Sequence, residues 1–333
     1  MHNRDLVVVG GSAGALPAVA AILEHLPPDL PAAILVTLHR HPSERDWLSE
    51  RLAQRSRWTV RTVDDERIER GIAYIARPDR HLIVKEGRVF ASHGPHENQW
   101  RPAIDVMFRS AAVAYTSRVI GVLLSGELDD GTSGLEAIKR CGGLTVIQRP
   151  ENALYPTMPE VAAANVRIDY SVDVAEMVPL IRRLVGESAP QVPAASTELQ
   201  AEALMAEGTQ ALTTQDFAEH SPSPLTCPEC GGPLWQRDAE GKEFRCLVGH
   251  AHRIESLQVA TDAALDRTLW AAIRQFEQRA NIARMMSQQS RHRQQRVRGD
   301  LHEARAAEAE AHAQKLRELQ ALYRTPLEPS QVS

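Results

Sequence analysis

The chain has 333 residues, of which 43% are hydrophobic. At about 100–200 residues per domain this predicts two domains, or one large domain with an appendage. Only 5% of residues are aromatic and the formal net charge is −5. These values exclude a stacking platform for single-stranded nucleic acid and a basic field that would attract nucleic acid or anionic lipid.

In chain order, residues 6–9 form an apolar run that meets Gly10-Gly11-Ser12-Ala13-Gly14 at once, and residues 17–26 read as a helix. Residues 32–37 are a second buried strand and 44–55 a second helix. Shorter strands are predicted at 59–63, 72–75, 81–85 and 88–91, the last two joined by the turn Lys85-Glu86-Gly87-Arg88. Ile104, Met107, Phe108, Ala111 and Ala112 share one helical face. Residues 119–124 form a strand that ends in a polar, Gly-rich turn, followed by a helix at 135–140, a strand at 144–148 and a helix at 177–184. Strands alternating with helices imply a three-layer α/β/α domain around a mainly parallel sheet over residues 1–187.

Residues 188–224 turn to Ala, Pro, Ser, Thr and Gln and read as a linker with one short helix near 198–206. Residues 225–253 hold a Cys/His cluster. Over 254–324, Leu265, Leu269, Ile273, Phe276, Ala280 and Ala283 form one apolar stripe of a long helix. Gly299-Asp300 is the expected break before a second helix at 301–323, giving a helical hairpin or coiled coil, and 325–333 is a tail. No apolar run approaches the roughly 20 residues of a membrane span. The first residues lack a signal peptide's long apolar region, so a cytoplasmic protein with reduced thiols and no membrane insertion is expected.

Reactive groups in open α/β sheets gather at the carboxyl ends of strands. Ser12 sits at such an end, in a Gly-x-Ser-x-Gly turn that leads into a helix. Taken alone the segment fits a nucleophile elbow, an anion site or a simple turn equally well, and its glycine spacing does not meet the dinucleotide pattern. His39 follows the second strand, and Asp129-Asp130 follow the strand at 119–124. Three polar residues, each just past a strand end, can converge as nucleophile, base and orienting acid. Cys141 reads as packing. His81, Arg101 and the pair Met158-Pro159 are weaker candidates for the crevice rim or wall.

The stretches VVVGGSAGALPAV, ILVTLHRHP, IAYIARPDRHLIV, RPAIDVMFRSAA, GVLLSGELDDGTSGLEAIK and GGLTVIQRPENALYPTMPEVA run in order over residues 5–187. Together they resemble the catalytic domain of the chemotaxis protein-glutamate methylesterase (CheB) family. The resemblance implies Ser12 as nucleophile, His39 as base and Asp130, before Gly131, as orienting acid. It implies hydrolysis of glutamate γ-methyl esters on a methylated chemoreceptor-like helical bundle, with glutamine deamidation or a weakly active signalling scaffold as alternatives. Ala15 stands where the family has a second glycine, and Ser125-Gly126-Glu127-Leu128 where Thr-Gly-Met-Gly is common. The family's methionine is thought to lend its backbone N–H to the oxyanion, so Glu127 sets a negative charge close to a developing one. The family's N-terminal receiver domain is not expected, since the strand before Ser12 starts near residue 5.

Cys227-x2-Cys230 and Cys246-x3-His250 supply three thiolates and one imidazole, which suits tetrahedral structural Zn²⁺. His252 competes with His250. His250 is preferred because the Cys-x3-Gly-His form resembles a zinc-ribbon tail found on some methylesterase-like proteins. No other cofactor is expected. The C-terminal helices are expected to pack on each other, on a partner helix or in a homo-oligomer. On this reading residues 1–187 are catalytically self-sufficient, and a chain cut near residue 188 keeps its activity on a small ester.

Overall fold

The computed structural model describes residues 2–43, 45–208, 213–217 and 220–323. The first part of the chain runs β1 (His2–Asn3), β2 (Leu6–Gly11), α1 (Leu16–His25), β3 (Ala33–Leu38), α2 (Leu48–Ala53), β4 (Thr59–Thr62), β5 (Asp65–Arg67) and β6 (Ile72–Ile75). It continues through β7 (His81–Lys85), β8 (Arg88–Ser92), α3 (Ile104–Tyr115), β9 (Val119–Leu123), α4 (Thr132–Arg140), β10 (Leu144–Gln148), α5 (Thr157–Asn165), β11 (Tyr170–Val172) and α6 (Val174–Leu184).

Seven of these strands pair in parallel in the order β11-β10-β9-β2-β3-β6-β4. Every residue of β2, β3, β6 and β9 is buried, as expected for parallel strands covered on both faces. Alternate side chains serve the two layers. Val7, Val9, Ile34, Val36 and Val122 pack with α1, α2 and α6. Leu6, Val8, Leu35, Leu123 and Ile147 pack with α3, α4 and α5. The chain order reverses at β2, which lies between β3 and β9, so a crevice opens past the carboxyl ends of these three strands. β5, β8 and β7 make a separate antiparallel sheet.

The strands foreseen from apolar runs lie within one or two residues of their expected places. β5, β11 and α5 were not foreseen, because two are three-residue strands and the third carries apolar residues on no single face. α2 begins at Leu48, and Glu44, the expected start, lies outside the described residues.

The linker reading of 188–224 needs correction. β12 (Ser188–Ala189) pairs antiparallel with β1. Ser196 Oγ caps α7 (Thr197–Met205) by accepting the Leu199 N–H at 3.3 Å, and Leu199 is buried in the α3–α5 layer. Ser92 Oγ donates to the Ala206 carbonyl at 3.1 Å. Small residues read as a linker by composition, but buried Leu199 and Ala206 and the pairing of β12 dock the segment. A four-stranded antiparallel sheet follows, of β13 (Ser221–Thr226), β14 (Pro233–Gln236), β15 (Glu243–Cys246) and β16 (Ala251–Arg253). All of this belongs to one compact unit, Met1–Leu257.

The second unit, Gln258–Ser333, holds most of α8 (Ile254–His292) and all of α9 (Arg296–Tyr323). The break comes earlier than Gly299. Gln294 adopts a left-handed φ of 58°, its N–H donates to the Arg291 carbonyl, and the Gln295 N–H donates to that of Ser290, a Schellman stop. Gly299 lies inside α9, where a Cβ would come within 3.0 Å of Arg291 Cγ. It permits close helix approach, and Ser287 Oγ donates to its carbonyl at 2.9 Å. Ile273 and Ala280 of the expected stripe are buried, as are Ala306, Ala309 and Ala313, whereas Leu265 is exposed. Residues 325–333, the expected tail, lie outside the described residues.

Candidate active site

Ser12 follows β2 directly. Its N–H donates to the Ser125 carbonyl at 3.0 Å, and its own carbonyl accepts the Ala15 N–H at 3.1 Å, which folds the turn before α1. Gly14 takes a φ of 77° there, a conformation that strains residues with a Cβ. Gly126 lies across from the serine, where a Cβ would come within 3.0 Å of Ser12 Cβ and 2.6 Å of Met158 Sδ. Close approach of the 125–127 turn to the nucleophile therefore requires glycine.

His39 follows β3, and its N–H donates to the Gly11 carbonyl at 3.3 Å. Its Nδ1 is 3.0 Å from Ser12 Oγ and its Nε2 is 2.6 Å from Asp130 Oδ2. An ionised carboxylate only accepts, so Nε2 carries the proton and Nδ1 is left to accept from the serine hydroxyl. The ring is thus used with its nitrogens exchanged relative to the serine-protease template.

Asp130 sits at the N-terminus of α3. Its Oδ2 accepts the Ile104 N–H at 2.7 Å and its Oδ1 the Asp105 N–H at 3.1 Å. Burial pushes this carboxyl up, but the His39 hydrogen bond and charge, then the two N–H groups, outweigh it and hold Asp130 below the usual carboxylate range. Burial, then the charge of Asp130, pushes the neighbouring Asp105 well above that range. The two neighbouring carboxyls are thus shifted in opposite directions, with the charged form favoured at Asp130.

Ser12, His39 and Asp130 are brought together, and Asp129 is not with them. Asp129 accepts a hydrogen bond from Ser256 Oγ, lies 3.6 Å from Arg253 Nε, and is pushed by burial to about 7.

The weaker rim candidates turn out to be braces. His81 is fully buried, its Nε2 bonded to the Pro95 carbonyl at 2.8 Å and its Nδ1 accepting the Ala103 N–H at 3.2 Å; burial drops it to about 4. Arg101 donates to Asp79 at 2.6 and 2.9 Å and to the Gly94 carbonyl. Met158 is buried beneath Gly126, and Cys141 is packed in the core. Sequence reasoning missed Trp100, whose ring stacks on His39 at 4.3 Å and 12°, and Asn98, whose Nδ2 donates to both Asp105 and Asp130. Trp100 directly precedes the RPAIDVMFRSAA stretch, but nothing in that string announces a ring over the base.

Cys227, Cys230, Cys246 and His250 offer four donor atoms within 4.8 Å of one another. Cys230 Sγ is 3.7 Å from Cys246 Sγ, and His250 Nδ1 is 3.6 Å from both Cys227 Sγ and Cys246 Sγ. Zn–S bonds of about 2.3 Å and Zn–N bonds of about 2.0 Å give tetrahedral edges of about 3.5–3.8 Å, so the donor set fits zinc. The shared Cys227–Cys246 contact pushes Cys246 below and Cys227 above the usual thiol range, and the hydrogen bond to His250 lowers Cys246 further. His252 Nε2 is also 3.6 Å from Cys227 Sγ, but His252 falls outside the four-donor group. His250 Nε2 faces Glu229 at 3.5 Å, and Glu229 in turn meets His96 Nδ1 at 2.6 Å.

Residues 7–181 match the CheB methylesterase family model. The chain belongs to the CheB methylesterase family. A Leptospira interrogans protein, provisionally named protein-glutamate methylesterase/protein-glutamine glutaminase, is 34% identical over 186 residues, 55% of this chain and 95% of its own. A Yersinia pestis protein-glutamate methylesterase/protein-glutamine glutaminase is 34% identical over 192 residues, and the match spans about half of it, 54%. The crystal structure of the Thermotoga maritima CheB methylesterase catalytic domain superposes with a TM-score of 0.53 at 31% identity, over 56% of this chain and all of that domain. Among the described residues, no helix of this CheB-family chain is long and apolar enough to cross a membrane.

Proposed function

We propose that this chain hydrolyses glutamate γ-methyl esters on a methylated, chemoreceptor-like helical bundle in the cytoplasm, using Ser12, His39 and Asp130. The observation that carries the reading is the continuous relay from Ser12 Oγ through His39 to Asp130, at 3.0 and 2.6 Å. Ser12 Oγ attacks the ester carbonyl carbon while His39 Nδ1 takes its proton. The tetrahedral oxyanion collapses, and the methoxide leaves as methanol with the proton from His39. Water then attacks the acyl-serine, again giving its proton to His39, and glutamate is released as Ser12 is restored. Asp130 stays ionised throughout and holds the imidazolium. The backbone of the 125–127 turn, pressed against Ser12 by Gly126, is the proposed source of the oxyanion donor at Glu127. Release of ammonia from glutamine would use the same acyl-enzyme, and the names of the relatives include that activity.

Cys227, Cys230, Cys246 and His250 are proposed to hold a structural zinc ion, making β13–β16 a zinc ribbon. With four protein ligands the ion would have no open position, and it would supply folding energy to a sheet whose small core is Cys227, Leu234, Phe244 and Cys246 packed on Leu257 of α8. The α8–α9 hairpin is proposed to dock on receptor helices or to join two copies of the chain; exposed Trp270, Ile282 and Met285 leave apolar surface for either.

Methanol release from receptor carrying labelled methyl esters tests the enzyme reading. Release that vanishes in Ser12→Ala supports it, and equal slow release from both proteins overturns it.

A further inference from the structure

His250, the last proposed ligand, is followed directly by β16, and β16 lies along residues 96–98 beside the triad. The Ala251 N–H donates to the His96 carbonyl at 3.3 Å, and the Asn98 N–H donates to the Ala251 carbonyl at 2.8 Å. The Arg253 N–H donates to Asn98 Oδ1 at 3.0 Å. Side chains reinforce the seam: Arg245 donates to Glu97 at 3.2 Å, and Gln99 Nε2 to the Ser256 carbonyl at 3.0 Å.

The opposite side of this short stretch faces the catalytic residues. Asn98 Nδ2 donates to Asp105 Oδ2 at 2.9 Å and to Asp130 Oδ1 at 3.3 Å. Trp100 lies flat on His39. Asn98 and Gln99 take left-handed φ values of 50° and 70°, which for glutamine is a strained conformation that surrounding contacts must hold.

We propose that the cysteine-bearing sheet is a metal-set latch on the catalytic triad, with Asn98 as the positioning residue through which it acts. The inference rests on the zinc reading above and extends it to catalysis. A metal held by both Cys246 and His250 fixes the turn between them, where the Cys246 N–H donates to the His250 carbonyl at 3.1 Å and Arg245 Nη1 to the Gly249 carbonyl at 3.1 Å. That turn sets the register of β16, β16 sets Asn98 and Trp100, and these hold Asp130 and His39. The family match ends at residue 181, so β16 and the metal ligands lie outside the matched region. Activity would then require a loaded ribbon, and residues 1–187 would not be self-sufficient.

The test uses the full chain and a small glutamate γ-methyl ester, with kcat and KM measured as prepared, after zinc is stripped by a chelator, and after zinc is restored. A displaced triad should lower kcat by about ten- to a hundred-fold with KM little changed, and zinc should restore it. Hydrogen exchange of residues 96–101 should rise on stripping while that of β2 and β3 stays as it was. Asn98→Gly, which suits a positive φ, should have a similarly low kcat that stripping lowers no further. Unchanged kcat and unchanged exchange after complete zinc removal would overturn the latch, as would stripping and Asn98→Gly acting additively. If the loaded protein shows no Ser12-dependent hydrolysis, the enzyme reading fails, and the exchange of 96–101 still decides whether the metal sets the loop.

Discussion

The two sides of the triad are held by different physics. Ser12 and His39 directly follow β2 and β3, whose residues are all buried and, apart from Thr37, apolar or glycine. Asp130 stands in a polar nest of α3 N–H groups, Asp105 and Asn98, backed by Glu97 clasped between Arg109 at 2.6 Å and Arg245 at 3.2 Å. Hydrocarbon packing tolerates small displacements of a neighbour, whereas a buried charge left without its partner is costly. The nucleophile side is therefore stable by itself, and the acid side depends on every polar member staying in place.

Chemistry gives the largest test of this contrast. Ser12→Ala and His39→Ala should each lower ester turnover by roughly a thousand-fold or more, and the double variant should be little worse, because the groups act as one unit. Exposed His41, two residues from the base, is the control, and its removal should be mild. A Ser12→Ala variant that keeps a tenth of the rate would exclude an acyl-serine.

Stability comes next. Glu97→Gln leaves two buried guanidinium groups short of a counter-charge and should cost about 3–5 kcal/mol in urea unfolding. A cost below about 1 kcal/mol would mean that water compensates the two arginines, and the contrast between the sides would collapse. On the hydrocarbon side, Leu35→Ala in β3 should cost about 2–5 kcal/mol through its cavity while leaving kcat of the folded protein near that of wild type.

A pH measurement isolates one brace of the acid side. Buried His81 falls from 6.5 unfolded to about 4 in the fold. Its contribution is fully present above pH 6.5 and is lost as pH drops through about 4, since the unfolded chain takes up a proton that the native site refuses. Between neutral pH and pH 4, unfolding free energy should therefore fall by about 3 kcal/mol more in wild type than in His81→Gln. Parallel pH profiles of the two proteins would show that the imidazole is not held neutral.

The smallest expected effect is at Glu127, which is exposed beside the proposed oxyanion site. Glu127→Met removes a negative charge near a developing one and should raise kcat by a few-fold, an effect screened by salt. A lower kcat would mean that the carboxylate helps the reaction.

Much of the catalytic half was legible because its signals are local. The apolar runs at 6–9 and 32–37 read as buried strands and meet β2 and β3, whereas the glycines around Ser12 left an elbow, an anion site and a simple turn equally open until the family resemblance was added. Spacing singled out Cys227, Cys230 and Cys246 with an imidazole from His250 or His252 as proposed zinc donors, and the resemblance to a zinc-ribbon tail preferred His250. What was missed depends on long-range contacts. The docking of 188–208 uses scattered contacts, the β12 pairing with β1, buried Leu199 and Ala206, and the Lys85–Glu207 ion pair, in an otherwise linker-like composition. The helix break at Gln294 is a left-handed residue that is not glycine, and Gly299, the obvious breaker, is a packing residue.

The sequence by itself determined the parallel sheet and the three strand ends that carry Ser12, His39 and the Asp129-Asp130 pair, because each is written in periodicity or spacing over a few residues, and the family resemblance singled out Asp130. Only the tertiary structure decided that β16 lies against Asn98 and that Trp100 covers His39. Those contacts join segments about 60 to 155 residues apart, and no local pattern encodes which loop a distant strand edge will meet.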